Sequence, residues 1–281
     1  MPLDVRPLDE SDHASAQELR RLAFGGPRRA VDAEPPPPQP GRVTWGAFEG
    51  DRLVATAADR DQAHWFGGRL VPASGVASVA VAAADRGRGC ARALLTALLV
   101  AVRERGAPIA TLFPTAPALY RSLGWEQAGA LTWSSLPTSA VAGIRLPAGM
   151  TLRAATTADS EAIRDLYTEV ARSGNGYLDR TGPLFPEDAS DALDGVTLAI
   201  GPDGAVEGYV GWDRGHGYDD KAQLTVYDLI GRTGRATAAL LAALGTWSAV
   251  TPTLALRLPD PDPVRWLLPT AAPLARSTQP W

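Results

Sequence analysis

The stretch GVASVAVAAADRGRGCARALLTALLVA, from Gly75 to Ala101, decides the fold of this chain. It opens on small apolar residues that alternate and then run on, which predicts a buried β-strand. Two glycines and two arginines follow in four successive positions, from Arg86 to Gly89. Beyond Gly89 the apolar residues recur every three or four positions, which predicts a helix with one buried face. A strand, a glycine-rich turn and a helix in this order present unpaired backbone N–H groups to an anion.

The spacing of the glycines indicates which kind of anion the turn binds. The turn has neither the G-x-G-x-x-G of a dinucleotide-binding fold nor the G-x-x-x-x-G-K-[ST] of a P-loop. It reads Arg86-x-x-Gly89-x-Ala91, which resembles the Q/R-x-x-G-x-G/A pattern of the GCN5-related N-acetyltransferases (GNAT superfamily). In that family the loop binds the pyrophosphate of acetyl-CoA. A surface turn with solvated arginines is the alternative interpretation of the same residues.

Composition and charge describe a globular protein. The 281 residues suffice for two domains, and 45% of them are hydrophobic and 21% charged. The formal net charge of −4 argues against a nucleic-acid-binding protein, because no basic surplus exists to neutralise phosphates. We find no signal peptide and no apolar run that would span a membrane, and we expect neither a membrane partner nor secretion. The single cysteine, Cys90, permits no intrachain disulfide, so a reducing, cytoplasmic location is expected.

Metal chemistry is not expected from the histidines, and Cys90 has two interpretations. His13, His64 and His216 lie far apart in the sequence and form no metal-ligand spacing. Cys90 follows the glycine-rich turn directly, where it is either a small packing residue or a nucleophile. We favour the packing residue, because free cysteine is among the most often buried residue types.

A second motif lies in residues 118–125, ALYRSLGW. It resembles the late lYrrfGf element of the acetyltransferases, in which a tyrosine lies beside the thiol of the cofactor. The resemblance implies that Tyr120 is the general acid that protonates the departing thiolate, which a phenol of ordinary pKa near 10 can do. An aromatic residue packed at a sheet edge is the alternative for Tyr120, and Trp125 is expected in the core. Backbone N–H groups around Ser78 to Val81 would bind the oxyanion.

The sequence pattern of the first residues recurs after Gly149. With an offset of 147 residues, Arg153 aligns with Arg6 and Asp159 with Asp12, which indicates an internal repeat. We therefore predict an α/β (α+β) protein of two GNAT domains, each with a mixed, mostly antiparallel sheet and flanking helices. The first spans 1–140 and binds acetyl-CoA; the second spans 150–281 and includes a C-terminal tail. In the repeated turn Gly231 stands where the first copy has Arg86, so the second copy is expected to be degenerate, without a working cofactor site.

A tandem of one intact and one degenerate acetyltransferase domain is similar to the Eis (enhanced intracellular survival) family. That resemblance implies acetyl transfer to an amine of a small molecule, such as an aminoglycoside, another antibiotic or a biosynthetic intermediate, and allows a homo-oligomer. Eis proteins have a third, sterol-carrier-like domain whose terminal carboxylate is the base, whereas this chain stops at Trp281. The carboxylate of Trp281 would have to replace it. Asp61, His64 and Asp228, acting through a water, are the other candidates for a base.

Carried over by position, the acetyl-CoA contacts follow the strand, the turn and the start of the helix. They are Ser78, Val79, Val81, Arg86, Gly87, Arg88, Gly89, Ala91 and Arg92. Trp45, Trp65 and Phe66, with Trp281, are weaker candidates for the acceptor site, and core packing is their alternative. The proline-rich stretch Pro35–Pro38 is either a lid or a rigid surface loop.

Two other functions remain open at this stage. One is a ligand-binding protein that uses the acyltransferase fold without turnover, and the other is an acetyltransferase of protein lysines or N-termini. A deep pocket lined by aromatic residues would favour a small-molecule acceptor, and an open cleft lined by backbone would favour a protein.

Overall fold

The computed structural model describes residues 3–27, 39–185, 193–217, 221–259, 264–268 and 275–281. The stretch Pro35–Pro38, predicted as a lid or a rigid loop, lies outside the described residues. The chain forms two compact units, each with its own sheet. One consists of Met1–Glu126 and Gly176–Leu184, the other of Gln127–Asn175 and Phe185–Trp281.

The first unit has a five-stranded sheet and three α-helices in the described residues. Its elements are β1 (Asp4–Pro7), α1 (His13–Phe24), β2 (Arg42–Glu49), β3 (Arg52–Phe66), β4 (Arg69–Val81), α2 (Cys90–Glu104), β5 (Ile109–Thr111) and α3 (Pro117–Arg121). The strands lie in the order β1-β2-β3-β4-β5, and only β4 and β5 run parallel. This mixed, mostly antiparallel sheet with flanking helices confirms the predicted fold class.

The helix predicted after the glycine-rich turn is α2, and its apolar face packs on the sheet. Leu94, Leu95 and Leu98 are fully buried in the core of the first unit, together with Val102. The period of the apolar residues therefore predicted the buried face correctly. The long hairpin of β3 and β4 turns at residues 67–68, two glycines with φ of 54° and 75°, a conformation that residues with a Cβ rarely adopt.

The second unit has a seven-stranded sheet in the described residues. Its elements are β6 (Ala130–Pro137), β7 (Thr151–Ala154), α4 (Ser160–Ser173), β8 (Gly195–Ile200), β9 (Val206–Arg214), β10 (Gln223–Gly231), α5 (Gly234–Gly245), β11 (Thr253–Pro259), α6 (Val264–Leu267) and β12 (Ala275–Pro280). The strand order is β12-β6-β11-β10-β9-β8-β7. As in the first sheet, a single neighbouring pair, here β10 and β11, is parallel.

The boundary between the units differs from the one predicted at residue 140. β6 falls inside the predicted first domain, 1–140, but it pairs with β11 and β12 in the second sheet. The first unit therefore ends at Glu126, and it also takes in Gly176–Leu184. Hydrogen bonds between strands far apart in the chain decide both differences, and periodicity does not reveal them.

The internal repeat is visible in matching ion pairs. Arg6 binds Asp12 at 2.6 Å in the first unit, and Arg153 binds Asp159 at 2.6 Å in the second. Both aspartates also accept a hydrogen bond from the backbone N–H three residues earlier, so each completes a capping box at a helix start. Residues of the same type make the same contacts at an offset of 147 residues, which supports the repeat inferred from the alignment.

Replacing the repeated aspartate tests this capping. The Arg153 guanidinium, with the N–H of Thr156, holds the pKa of Asp159 well below its usual range. We expect Asp159→Asn to lower the free energy of unfolding by about 1 kcal/mol at pH 7. Because the pKa is depressed in the folded state, this stabilisation is complete above the unfolded-state pKa of about 4 and is lost as the pH falls below it. Denaturant unfolding at pH 7 and at decreasing pH measures the difference.

The exposed Asp165 on the same helix is the matched control. Asp165→Asn should leave the unfolding free energy close to that of the wild type at every pH. An equal loss of stability in both variants, or a loss in Asp159→Asn that does not shrink at low pH, would contradict the capping role.

Candidate active site

One edge of β4 lies open beyond Gly75. β5 pairs with β4 only as far as Gly75, opposite Thr111, and no other described strand pairs with that edge. Further along β4 the register with β3 shifts, so that Ser78 and Val79 together face Ala57, and Ser78 has φ 54°. Such a bulge bends the strand and redirects its N–H groups. It lies in the stretch where the sequence predicted N–H donors for an oxyanion.

The glycine-rich turn leads from β4 into α2. It spans residues 82–89, and Gly87 and Gly89 adopt φ of 77° and 82°. A Cβ built on either glycine would meet no atom of the described residues within 4 Å, its chain neighbours aside, so these residues leave the backbone approachable there. Gly89 is the N-cap of α2, and none of the side chains that the structure describes caps this helix end. The first N–H groups of the 15-residue helix α2 therefore point toward a site where an anion can bind.

A buried carboxylate anchors the turn. Asp85 is 1% exposed and binds Arg52 at 2.6 Å and also Arg88. Glu49 binds the same two arginines, each at 2.6 Å. The hydrogen bond from Arg52, opposed by burial, lowers the pKa of Asp85, and the hydrogen bonds from Arg88 and then Arg52 lower that of Glu49. Both carboxylates are therefore ionised at neutral pH, and the four side chains hold the turn to the β2–β3 hairpin.

The three arginines predicted to contact the cofactor have different surroundings. Arg86 is exposed, and its Nε lies 3.4 Å from the carbonyl oxygen of Val81. Arg88 is held by its two carboxylate partners. Arg92 donates to the Ser122 hydroxyl at 2.6 Å and so ties the start of α2 to the end of α3. Arg86 is thus the arginine of the turn with most freedom to contact a phosphate.

Tyr120 lies on the short helix α3 with its ring buried. The residue is 7% exposed, and its ring packs edge-on against Trp125 at 5.8 Å between centroids. Trp125 is half-buried and donates from Nε1 to the carbonyl oxygen of Ala110 at 2.9 Å, as a core residue would. No described residue hydrogen bonds to the Tyr120 hydroxyl, and burial raises its pKa. A raised pKa keeps the phenol protonated at neutral pH, as a general acid must be.

The repeated turn of the second unit is closed where the first is open. Only Arg232 and Thr233 separate β10 from α5, against residues 82–89 in the first unit. The Thr233 side chain accepts from the N–H of Ala236 at 3.1 Å and caps the helix. Arg232 is paired with Glu169 at 2.9 Å. The helix start is thus capped and the turn is shorter than in the first unit, as expected for a degenerate second copy.

His64 anchors a returning segment of chain. Its Nδ1 lies 2.9 Å from the carbonyl oxygen of Gly176, so Nδ1 carries the proton and Nε2 is the acceptor, 3.0 Å from the Gln62 amide nitrogen. Backbone hydrogen bonds join the same segment, Gly176–Leu184, to the end of β3. Burial lowers the pKa of His64, which therefore stays neutral. These contacts give His64 an anchoring role.

The other candidates for a base lie in different surroundings. Asp61 is exposed and ion-paired with Arg105 in the first unit. Asp228 belongs to the second unit and accepts from the Tyr209 hydroxyl at 3.2 Å.

The aromatic candidates for the acceptor site mostly pack into cores. Trp45 is half-buried against the core of the first unit, and Trp65 is 8% exposed near the end of β3. Phe66 ends β3 and is half-buried. The carbonyl oxygen of Trp281, in the second unit, accepts from the N–H groups of residues 128–129 at 2.8 and 2.9 Å. Core packing, the alternative considered from the sequence, fits Trp45 and Trp65.

Cys90 has the packing role that we favoured. It is 3% exposed in the core of the first unit, and its Sγ lies 3.7 Å from the carbonyl oxygen of Asp85. In the described part of the chain, no three histidine, cysteine, aspartate or glutamate side chains are grouped as metal ligands. None of the helices that the structure describes has the length and apolar character needed to cross a membrane.

Sequence reasoning missed the anchor of the turn. Asp85 precedes Arg88 by three positions, a spacing that could have suggested an ion pair. The partner Arg52 is 33 residues away, and nothing in the sequence connects it to Asp85. Ser122 was likewise passed over inside the tyrosine motif, although it links α3 to Arg92.

Comparison with known families gives matches in both halves of the chain. Residues 4–128 match one family model described as an acetyltransferase (GNAT) domain, and residues 176–280 match another with the same description. The two matches together cover most of the chain, and the first includes the bulge, the turn and Tyr120.

Individual relatives agree with these matches. An uncharacterized N-acetyltransferase of Streptomyces avermitilis is 29% identical over 231 residues, 74% of this chain and 54% of that protein. This chain thus spans about half the length of that relative. A GCN5-related N-acetyltransferase from Kribbella flavida has a TM-score of 0.79 at 25% identity over 100% of this chain and 70% of its own. Eis1 from Mycobacterium abscessus has a TM-score of 0.73 at 22% identity over 100% and 72%, which shows a common fold.

The ion pairs predict which arginine of the turn stabilises the protein. Arg88→Gln should lower the midpoint of thermal unfolding by a few degrees, because Asp85 then keeps only one cationic partner in a buried position. Arg86→Gln should leave the midpoint unchanged, since Arg86 has no carboxylate partner in the described residues. Differential scanning calorimetry of the wild type and the two variants measures these midpoints. Equal midpoints, or a larger loss in Arg86→Gln, would contradict the anchoring described for Asp85.

Proposed function

The chain belongs to the acetyltransferase (GNAT) family, and we propose that its first domain transfers an acetyl group from acetyl-CoA to the amine of a small molecule. The observation that supports this proposal is that one unit combines three features. They are the uncapped start of α2, the open edge of β4 and the buried ring of Tyr120. They supply an anion site, a strand edge that an extended ligand can follow and a proton donor. All three belong to the first unit.

The residues present fit acetyl-CoA. When bound, acetyl-CoA supplies an activated acyl group on a thioester. Gly87 and Gly89 leave the backbone open to its pyrophosphate, and the N–H groups of Ala91 and Arg92 at the helix start would donate to it. Arg86 would add a positive charge at the rim. Val79 and Val81 would provide backbone hydrogen bonds along the open edge of β4.

Tyr120 would handle the proton of the leaving group. The acceptor nitrogen bonds to the acyl carbon as the carbon–sulfur bond breaks. The Tyr120 hydroxyl donates its proton to the departing sulfur and regains one from the amine, through solvent, so charge and protons balance. Backbone N–H groups at the Ser78–Val79 bulge would bind the oxygen on which negative charge develops. A separate base is not required when the acceptor amine arrives unprotonated.

Removing the tyrosine hydroxyl tests its role as the acid. Tyr120→Phe should lower kcat by about 100- to 10,000-fold and leave the affinity for acetyl-CoA unchanged, because the ring still packs on Trp125. In the wild type, activity that depends on the protonated phenol should fall only as the pH rises through the pKa of Tyr120, which burial raises above that of an ordinary tyrosine. Thiol release with a responsive amine acceptor measures both.

The control removes the same atom from a tyrosine of β10 in the second unit, Tyr227→Phe. It should keep the wild-type kcat. Retention of kcat in Tyr120→Phe, or an equal loss of kcat in the control, would contradict the role of Tyr120 as the general acid.

The contrast between the two turns predicts a single acetyl-CoA site per chain. Calorimetric titration should give one site, and Arg86→Gln should weaken it by about tenfold or more, as expected for the loss of a charged hydrogen-bond donor. Arg232→Gln, in the closed turn, should bind as the wild type does. Two sites of similar affinity would contradict the degenerate second copy. No binding by the folded protein would favour a ligand-binding protein that does not use acetyl-CoA.

A further inference from the structure

Three arginines of the first unit converge beside the bulge of β4. Arg42 and Arg60 stand directly opposite each other on β2 and β3, so their side chains share one face of the sheet. The Arg42 guanidinium donates to the Ser78 hydroxyl at 3.3 Å. Arg20, on α1, lies within electrostatic reach of Arg42. We call Arg20, Arg42 and Arg60 the arginine cluster.

The nearest acidic residues in the chain do not neutralise the cluster. Asp59 and Asp61 flank Arg60 on β3, but successive side chains of a strand point to opposite faces. Both aspartates bind Arg105 instead, with Asp59 at 3.0 Å. Within the described ranges, no ion pair joins any carboxylate to the cluster.

The surroundings of the cluster are only partly exposed and contain neutral partners. Arg42 donates to the Gln39 amide oxygen at 3.0 Å and to Ser78, both uncharged acceptors. Burial, and then the charge of Arg42, lowers the pKa of Arg20; burial, and then the charge of Arg60, lowers that of Arg42. Like charges opposite each other on a sheet are unfavourable in the folded protein. Such local conflicts are expected where they serve a function.

The position of the cluster separates it from the cofactor phosphates. Arg60 pairs with Gly75, which precedes the bulge on β4, whereas the glycine-rich turn follows β4 at residue 82. The bulge, where the acyl group would lie, stands between the two along the strand. If the cofactor extends from the turn to the bulge, an acceptor that reaches the acyl group from the opposite end of the bulge passes the cluster.

We propose that the acceptor is an amine that also carries an anionic oxygen group, a carboxylate or a phosphate, and that Arg20, Arg42 and Arg60 bind this group. The proposal rests on the acetyl transfer proposed above and narrows its substrate class. Guanidinium groups bind carboxylate and phosphate through paired hydrogen bonds, which would hold the amine in a fixed place beside Ser78. The same positive charge repels polycationic acceptors such as aminoglycosides, which the family resemblance includes.

Matched acceptors test the charge requirement. With saturating acetyl-CoA, ω-amino carboxylates and aminoalkyl phosphonates should exceed the corresponding ω-amino carboxamides in kcat/KM by about 10- to 100-fold. Arg42→Gln and Arg60→Gln should abolish this preference and leave the KM for acetyl-CoA unchanged, and Arg42→Lys should restore part of it. Arg103→Gln, which removes an exposed arginine near the end of α2, is the control and should keep the preference.

Three outcomes are distinguishable. Loss of the preference in the cluster variants alone supports the proposal, and the better of the two anionic series identifies carboxylate or phosphate. Normal acetyl-CoA binding with equal use of carboxylates and carboxamides, or better use of aminoglycosides, overturns it and leaves the acetyl transfer intact. Failure of the wild type to bind acetyl-CoA instead refutes the proposed function.

A direct binding measurement tests the proposal even if none of the amine acceptors named above reacts. With the protein saturated with CoA, glutarate or inorganic phosphate should bind the wild type and Arg103→Gln in a calorimetric titration. Either anion should bind at least tenfold more weakly to Arg42→Gln. Absence of binding by both anions, or equal binding by all variants, would overturn the proposal.

Discussion

The candidate active site depends on how the turn after β4 is held. Asp85, buried in the middle of this turn, forms ion pairs with Arg52 and Arg88, and Glu49 binds the same two arginines. This clamp lets Gly87 and the residues after it take an open conformation without a capping side chain, so the start of α2 keeps its N–H groups available. The positive charge needed for the clamp comes from Arg88 and Arg52, which leaves Arg86 for a ligand. We therefore expect stability and ligand binding to depend on different arginines of this turn.

The two units share features of one fold but differ at the turn before the helix. Both keep the Arg–Asp pair at the first helix start and one parallel strand pair within an antiparallel sheet. They differ in the turn, which shrinks to Arg232 and Thr233 and acquires a capping hydroxyl in the second unit. Capping satisfies an N–H group at the helix start locally, so we expect no anion site there. Fold and site therefore depend on separate residues, as expected when function is carried by loops.

Local features of this chain could be predicted from its sequence, and long-range pairings could not. Periodicity predicted α2 and its buried leucines, and the alignment at a fixed offset predicted the internal repeat, in which Arg153 and Asp159 form the same ion pair as Arg6 and Asp12. The sheet to which β6 belongs was not predictable, since strands of similar composition compete as partners. Arg52, one of the two partners of Asp85, lies 33 residues away from it. The members of the arginine cluster belong to three different elements, α1, β2 and β3. Each of these depends on register between strands, which a one-residue shift would change.

The most direct test of the account is a crystal structure of the full chain with a non-hydrolysable acetyl-CoA analogue. We predict one analogue per chain, with its pyrophosphate at the start of α2 and its carbonyl oxygen at the N–H groups of the Ser78–Val79 bulge. The Tyr120 hydroxyl should then lie on the side of the sulfur. An analogue bound along β10 of the second unit, or one whose sulfur lies away from Tyr120, would contradict the central claim that the first unit alone contains the active site.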